Sequence, residues 1–188
     1  MSTGAPTSCT AELEADGLAP LEGQELLAVA ELWKRNHREV VARLRGVSME
    51  PTIPSGSEVV LRCADPVRVG DILAFVTGDL LIVHRVIGLS AAAGWILTCG
   101  DAARIPDPPL TDPRCTVGTV VKVRRGGALV PPPPPPASLG RRVVQGLCLG
   151  VLERWPRAGS RLVRLLVQLR RWLVNVPRIH ATRLGLRG

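Results

Sequence analysis

Between Glu39 and Leu129 the chain is a succession of short aliphatic and β-branched runs, each closed by turn-forming residues. These runs are Val40 to Leu44, Glu58 to Arg62, Asp71 to Val76, Leu80 to Ile87, Trp95 to Cys99 and Thr116 to Val123. Runs of this length suit strands rather than helices. Gly78-Asp79 lies between two of them, and a glycine at the first central position suits a tight hairpin. No long amphipathic helix separates the runs, which argues for an antiparallel or mixed β domain. The fold class predicted is mainly β, antiparallel or mixed, preceded by a short helix over Glu25 to Trp33.

The remainder of the 188 residues divides by composition. Residues 1–23 are acidic, small and Gly/Pro-containing, and read as a disordered leader. Residues 24–130 form the expected globular domain, and the uninterrupted prolines 131–136 read as a polyproline II spacer of about 3 Å per residue. Residues 137–188 are a basic tail. Eleven arginines against Glu153 give that tail a charge of +10, so the whole-chain value of +8 leaves −2 for the first 136 residues. The basicity therefore says nothing about the domain. Hydrophobic residues make up 46% of the chain and aromatic ones only 3%, so the core must be built from Val, Leu and Ile.

The five cysteines (9, 63, 99, 115 and 148) are scattered, with no Cys-x-x-Cys pair and no metal spacing. A disulfide framework, a metal site and a cofactor are not expected, and the pattern fits a reducing compartment. The first twenty residues lack the basic and apolar regions of a secretory signal. No stretch reaches the roughly 18 uncharged apolar residues of a membrane span. The expected location is cytoplasmic.

Three places in the domain can carry chemistry. Ser48 sits at a Pro-containing bend, Gly46-Val47-Ser48-Met49-Glu50-Pro51-Thr52-Ile53. A serine hydroxyl attacks only when a neighbouring base takes its proton, and an arbitrary turn serine has no such base. His84 lies in the apolar run Leu81 to Ile87, where it is either a half-buried strand histidine or a base held neutral by its surroundings. Asp101 and Asp107 occupy a loop after a strand, where either is an ordinary turn acid or the group that orients an imidazole.

Taken together, these segments resemble signal peptidase I. The resemblance rests on Gly-x-Ser-Met-x-Pro-Thr-Ile at 46–53, Val69-Gly70-Asp71-Ile72, Val83-His84-Arg85-Val86-Ile87, Gly100-Asp101 and Val117-Gly118-Thr119-Val120-Val121. It spans residues 44–124, about two-fifths of the chain, and is closest to the archaeal and endoplasmic-reticulum branch that uses a Ser-His pair. It implies a LexA/signal-peptidase-like coiled β-sheet, Ser48 as nucleophile and His84 as base. In that branch the third acid follows the Gly-Asp box aspartate by six positions, which implies Asp107, with Asp101 behind the catalytic groups. Gly46 and Met49 flank the expected oxyanion site. Many signal peptidases carry a serine where this chain has Gly46, so the oxyanion would rest on backbone donors such as the Ser48 N–H. The Ser-Lys variant is excluded by position, because the two lysines are Lys34, ahead of the domain, and Lys122, in the last strand motif.

The resemblance thus implies a serine endopeptidase that processes an extended segment of a protein or peptide precursor. Signal peptidases normally carry a transmembrane anchor before the nucleophile, and residues 1–47 offer none, so removal of secretory signals is not the expected task. Two alternatives stand beside the peptidase. One is a self-cleaving regulator of LexA type, against which count the short segment before the domain and the lack of an Ala-Gly or Cys-Gly bond upstream of Ser48. The other is a catalytically silent binding module.

In the tail, residues 160–176 place Arg161, Arg164, Gln168, Arg171 and Asn175 at steps of three and four, which predicts an amphipathic helix with a wide apolar face. Three coverings suit that face: an anionic membrane surface, the domain or a partner, and a helical hairpin with Val143 to Leu152. Nucleic acid is not an expected partner, since the arginines have no interleaved aromatics for stacking.

Overall fold

The computed structural model describes residues 10–13, 23–63, 66–91, 93–103, 105–135, 139–154 and 165. Its architecture is mainly β. The elements in chain order are β1 (Thr10–Leu13), α1 (Gly23–Arg35), β2 (Glu39–Arg45), β3 (Glu58–Arg62), β4 (Ile72–Thr77), β5 (Leu80–Ser90), β6 (Trp95–Cys99), β7 (Thr116–Arg125), β8 (Ala128–Val130) and α2 (Leu139–Arg154). A 3₁₀ turn over Pro113–Cys115 precedes β7, with Asp112 capping it by accepting from the Arg114 N–H. All six expected strands are present, within a few residues of the expected ends.

The strands form one antiparallel sheet in the order β1-β2-β3-β7-β4-β5-β6, with β8 hairpinned onto β7. The sheet curls on itself, because β1 also pairs with β5 through Thr10 and Ile82. Gly78 makes the β4–β5 hairpin with φ 61°, a conformation a side chain would resist. Burial alternates along β2, where Ala42 and Leu44 are enclosed and Val41, Arg43 and Arg45 are exposed. It runs almost unbroken along β4, which is covered on both faces.

The main core holds Leu44, Met49, Ile53, Val59, Leu61, Ile72 and Val83, with Leu26 and Ala30 of α1 closing one side. Full burial of each such aliphatic side chain contributes about 1.5–3 kcal/mol. A second cluster around Leu73, Phe75 and Val86 lies on the other face of β4 and β5. In a third, Leu152 and the half-buried Leu149 of α2 pack on Trp95 and Leu97 of β6. Gly88 leaves the room for this docking, since a Cβ there would stand 2.1 Å from a Leu149 methyl carbon. The Cys148 to Leu152 end of α2 therefore packs on the sheet. The predicted helix over residues 160–176 lies outside the described residues, apart from Leu165.

Within residues 1–23, Thr10–Leu13 pairs over its full length with Ala42–Arg45 of β2. Its alternation is too short to register as a strand by itself, and the free edges of β2 and β5 supply the partners. Pro133 is partly buried, and its carbonyl accepts a hydrogen bond from Arg85 Nη2 at 3.1 Å. Among the described residues, no helix is long and apolar enough to cross a membrane, and no cluster of His, Cys, Asp and Glu could hold a metal ion.

Candidate active site

The turn after β2 that carries Ser48 is held in both directions. Gly46, at φ 97°, turns the chain out of the strand, and its N–H donates to Ser55 Oγ at 3.2 Å. Met49 and Ile53 are fully buried in the main core, and the Ile53 N–H donates to the Met49 carbonyl at 2.9 Å. Met49, expected beside the oxyanion, thus has its side chain in the core and anchors the turn. The Glu50–Pro51 peptide is cis. The Ser48 carbonyl accepts from the Ala102 N–H at 2.8 Å, which ties the turn to the loop after β6.

His84 stands on β5 opposite Leu73 of β4, and is only 4% exposed. The Phe75 ring approaches it edge to face, with centroids 6.3 Å apart. Its Nδ1 lies 2.6 Å from Asp107 Oδ2, and its Nε2 lies 2.8 Å from Ser48 Oγ. A carboxylate only accepts, so Nδ1 carries the ring proton and donates it to Asp107. Nε2 is then the lone pair that the Ser48 hydroxyl faces. The three side chains, distant in sequence, form one continuous hydrogen-bonded chain.

Asp107 is fixed by a residue that the sequence did not single out. Thr98 Oγ1 donates to Asp107 Oδ2 at 2.8 Å, and the Asp107 N–H donates to the Thr98 carbonyl at 2.8 Å. A threonine inside a strand is ordinary, so nothing local marks Thr98. The thiol of Cys99 reaches the carbonyls of Gly100, Ala103 and Ile105 at 3.4–3.7 Å and gathers the loop that delivers Asp107.

The structure does not bring Asp101 to the imidazole. It pairs with Arg85, with Nη2 to Oδ2 at 2.7 Å and Nε to Oδ1 at 3.0 Å, both side chains being almost wholly buried. The remaining Arg85 donors go to the Gly70 carbonyl at 2.9 Å and to Pro133. This buried guanidinium–carboxylate pair holds β5, the Gly100-Asp101 corner and Pro133 together. Arg85 follows His84 directly, and neighbours on a strand face opposite ways. Gly100 completes the packing, since a Cβ there would stand 2.7 Å from the Ser48 carbonyl oxygen and 3.1 Å from His84 Nε2. Both lysines lie in ion pairs, Lys34 with Glu31 at 2.9 Å and Lys122 with Glu39 at 3.6 Å.

The sequence pattern of the family described as Peptidase S24-like matches residues 7–103, just over half of the chain, and the chain belongs to that family. The family match places this curled, mainly β, antiparallel sheet in the LexA/signal peptidase superfamily. The match takes in β1, Ser48 and His84, and ends before Asp107. No curated protein and no solved structure was found to match it.

Proposed function

We propose that this chain is a serine endopeptidase of the Ser-His signal peptidase type, with Ser48 as nucleophile, His84 as general base and Asp107 as the orienting acid. The observation that carries it is the pair of contacts on one imidazole, 2.8 Å to the Ser48 hydroxyl and 2.6 Å to Asp107. Ser48 Oγ attacks the carbonyl carbon of the scissile peptide as its proton passes to His84 Nε2. The imidazolium so formed is stabilised by Asp107, which is itself held by Thr98. The C–N bond then breaks, the leaving amine takes the proton from Nε2, and the acyl group remains on Ser48. A water molecule, deprotonated by the same nitrogen, releases the acid and restores the serine. With Gly46 in place of a hydroxyl-bearing residue, the developing oxyanion depends on backbone donors at the Ser48 turn. The substrate is an extended segment of a protein or peptide precursor with small side chains near the cut.

A serine-directed fluorophosphonate and a peptide library test this together. Labelling and cleavage should both vanish in Ser48→Ala, and cleavage should vanish in His84→Ala. A wild-type protein that neither labels nor cleaves between about pH 6 and 9 is a binding module instead. The family also favours a second reading, self-cleavage of LexA type. A shortened form of the chain that accumulates in wild type and not in Ser48→Ala would select it.

A further inference from the structure

The strand that leads to Ser48 (β2) and the strand that carries His84 (β5) do not pair with each other. β2 spends one edge on β3 and gives the other to β1. β5 spends one edge on β4, and β6 takes its other edge only from Arg85 onward. Ahead of Arg85 that edge is met by β1, through Thr10 and Ile82. A strand-wide seam therefore runs between β2 and the first half of β5. Ser48 lies three residues beyond Arg45 at its end, and His84 lies two beyond Ile82. The Gly100 corner, packed against both, closes that end. Within the seam Thr10 stands at the Ser48 end and Leu13 at the far end, opposite Ala42.

We propose that this seam is an acceptor slot for an extended polypeptide, and that β1 is the chain's own exchangeable occupant. The identity of the incoming strand as a substrate rests on the peptidase reading; the slot itself rests on the pairing. A peptide whose carbonyl is to reach Ser48 must run along the β2 and β5 edges, which supply backbone donors and acceptors to an added strand. Those groups cannot serve β1 at the same time, so β1 must leave. The occupant that fits carries small or aliphatic residues at alternate positions, because Ala11 and Leu13 are the positions opposite the enclosed Leu44 and Ala42. As a tethered strand β1 competes at an effective concentration on the order of millimolar, which keeps the slot closed to weak or unsuitable segments.

The test locks and loosens β1 in the full-length chain. Glu12 and Arg43 are directly opposed, so Glu12→Cys with Arg43→Cys should form a disulfide on oxidation. Arg43 gives up an exposed contact to Glu58, which keeps Arg124. Ala11→Pro with Leu13→Pro removes two backbone donors from β1. A fluorescent peptide of residues 6–16 should bind the loosened protein at least tenfold more tightly than wild type, by anisotropy, and should not bind the oxidised lock. Equal binding to all three, or none to a loosened protein with native circular dichroism, overturns the slot. Oxidation of the lock should also lower peptide hydrolysis at least tenfold, reversed by reductant, with oxidised wild type as the control. Fluorophosphonate labelling of Ser48 needs no strand in the slot and should be unchanged. Labelling with undiminished hydrolysis in the lock refutes the slot alone. Absence of labelling in every form refutes the peptidase, while the anisotropy arm still decides the slot.

Discussion

Gly100→Ala is the sharpest test of how the site is held, because a single methyl group meets the nucleophile and the base at once. The added carbon would stand 2.7 Å from the Ser48 carbonyl oxygen, about 0.7 Å inside the 3.4 Å where ordinary contact begins. It would also lie 3.0 Å from Ser48 Cβ and 3.1 Å from His84 Nε2. The oxygen cannot simply withdraw, since it is bonded to the Ala102 N–H at 2.8 Å. The corner must therefore shift by several tenths of an ångström and push Ser48 away from the imidazole. A misplacement of about 1 Å costs on the order of 100-fold in rate, so a loss of about 10- to 100-fold in kcat/KM is expected, or about 1.4–2.7 kcal/mol. Overpacking should lower stability by about 1–3 kcal/mol, at roughly 3 °C of Tm per kcal/mol. The assay is fluorophosphonate labelling rate beside a thermal melt. A variant that labels at the wild-type rate with an unchanged Tm would refute the close packing on which the reasoning depends.

Asp107→Asn should lower kcat/KM by about 10³- to 10⁴-fold with little change in Tm, because the amide disturbs the tautomer of His84 but leaves the fold intact. Asp101→Ala should do the opposite, destabilising by about 3–5 kcal/mol in denaturant titration by stranding the Arg85 charge. Gly88→Ala should loosen α2 from the sheet, at a cost of about 1–3 kcal/mol, and adding Leu149→Ala should restore part of that loss in a double-mutant cycle. Burial pushes the Cys63 thiol up to about 11 from 9.0, so it should resist alkylation at pH 8.5 in the native protein. The native state keeps this proton while the unfolded chain loses it, so stability should fall as pH rises from about 9 to 11, a slope that Cys63→Ala removes.

Strand positions and the antiparallel class were legible because short alternating or apolar runs between turn residues admit few other conformations. Ser48, His84 and Asp107 were reached by family resemblance, and without it each residue had an ordinary local explanation. The α1 helix and the Gly78 hairpin were readable from local signals alone. By contrast, β1 was hidden, since four residues cannot show a period and its strand character depends on two edges far along the chain. Thr98 was hidden for a related reason. Its importance lies in a hydrogen bond across nine positions, which no local preference encodes.

The sequence by itself determined the strand-rich class and the turn that carries Ser48. Only the tertiary structure decided which acid meets the imidazole. Asp101 and Asp107 share a loop and a charge, but the curl of the sheet gives one to Arg85 and the other to His84. Side-chain chemistry is local, whereas proton transfer needs atoms within about 3 Å. That distance is set by how strands far apart in the chain come to lie side by side.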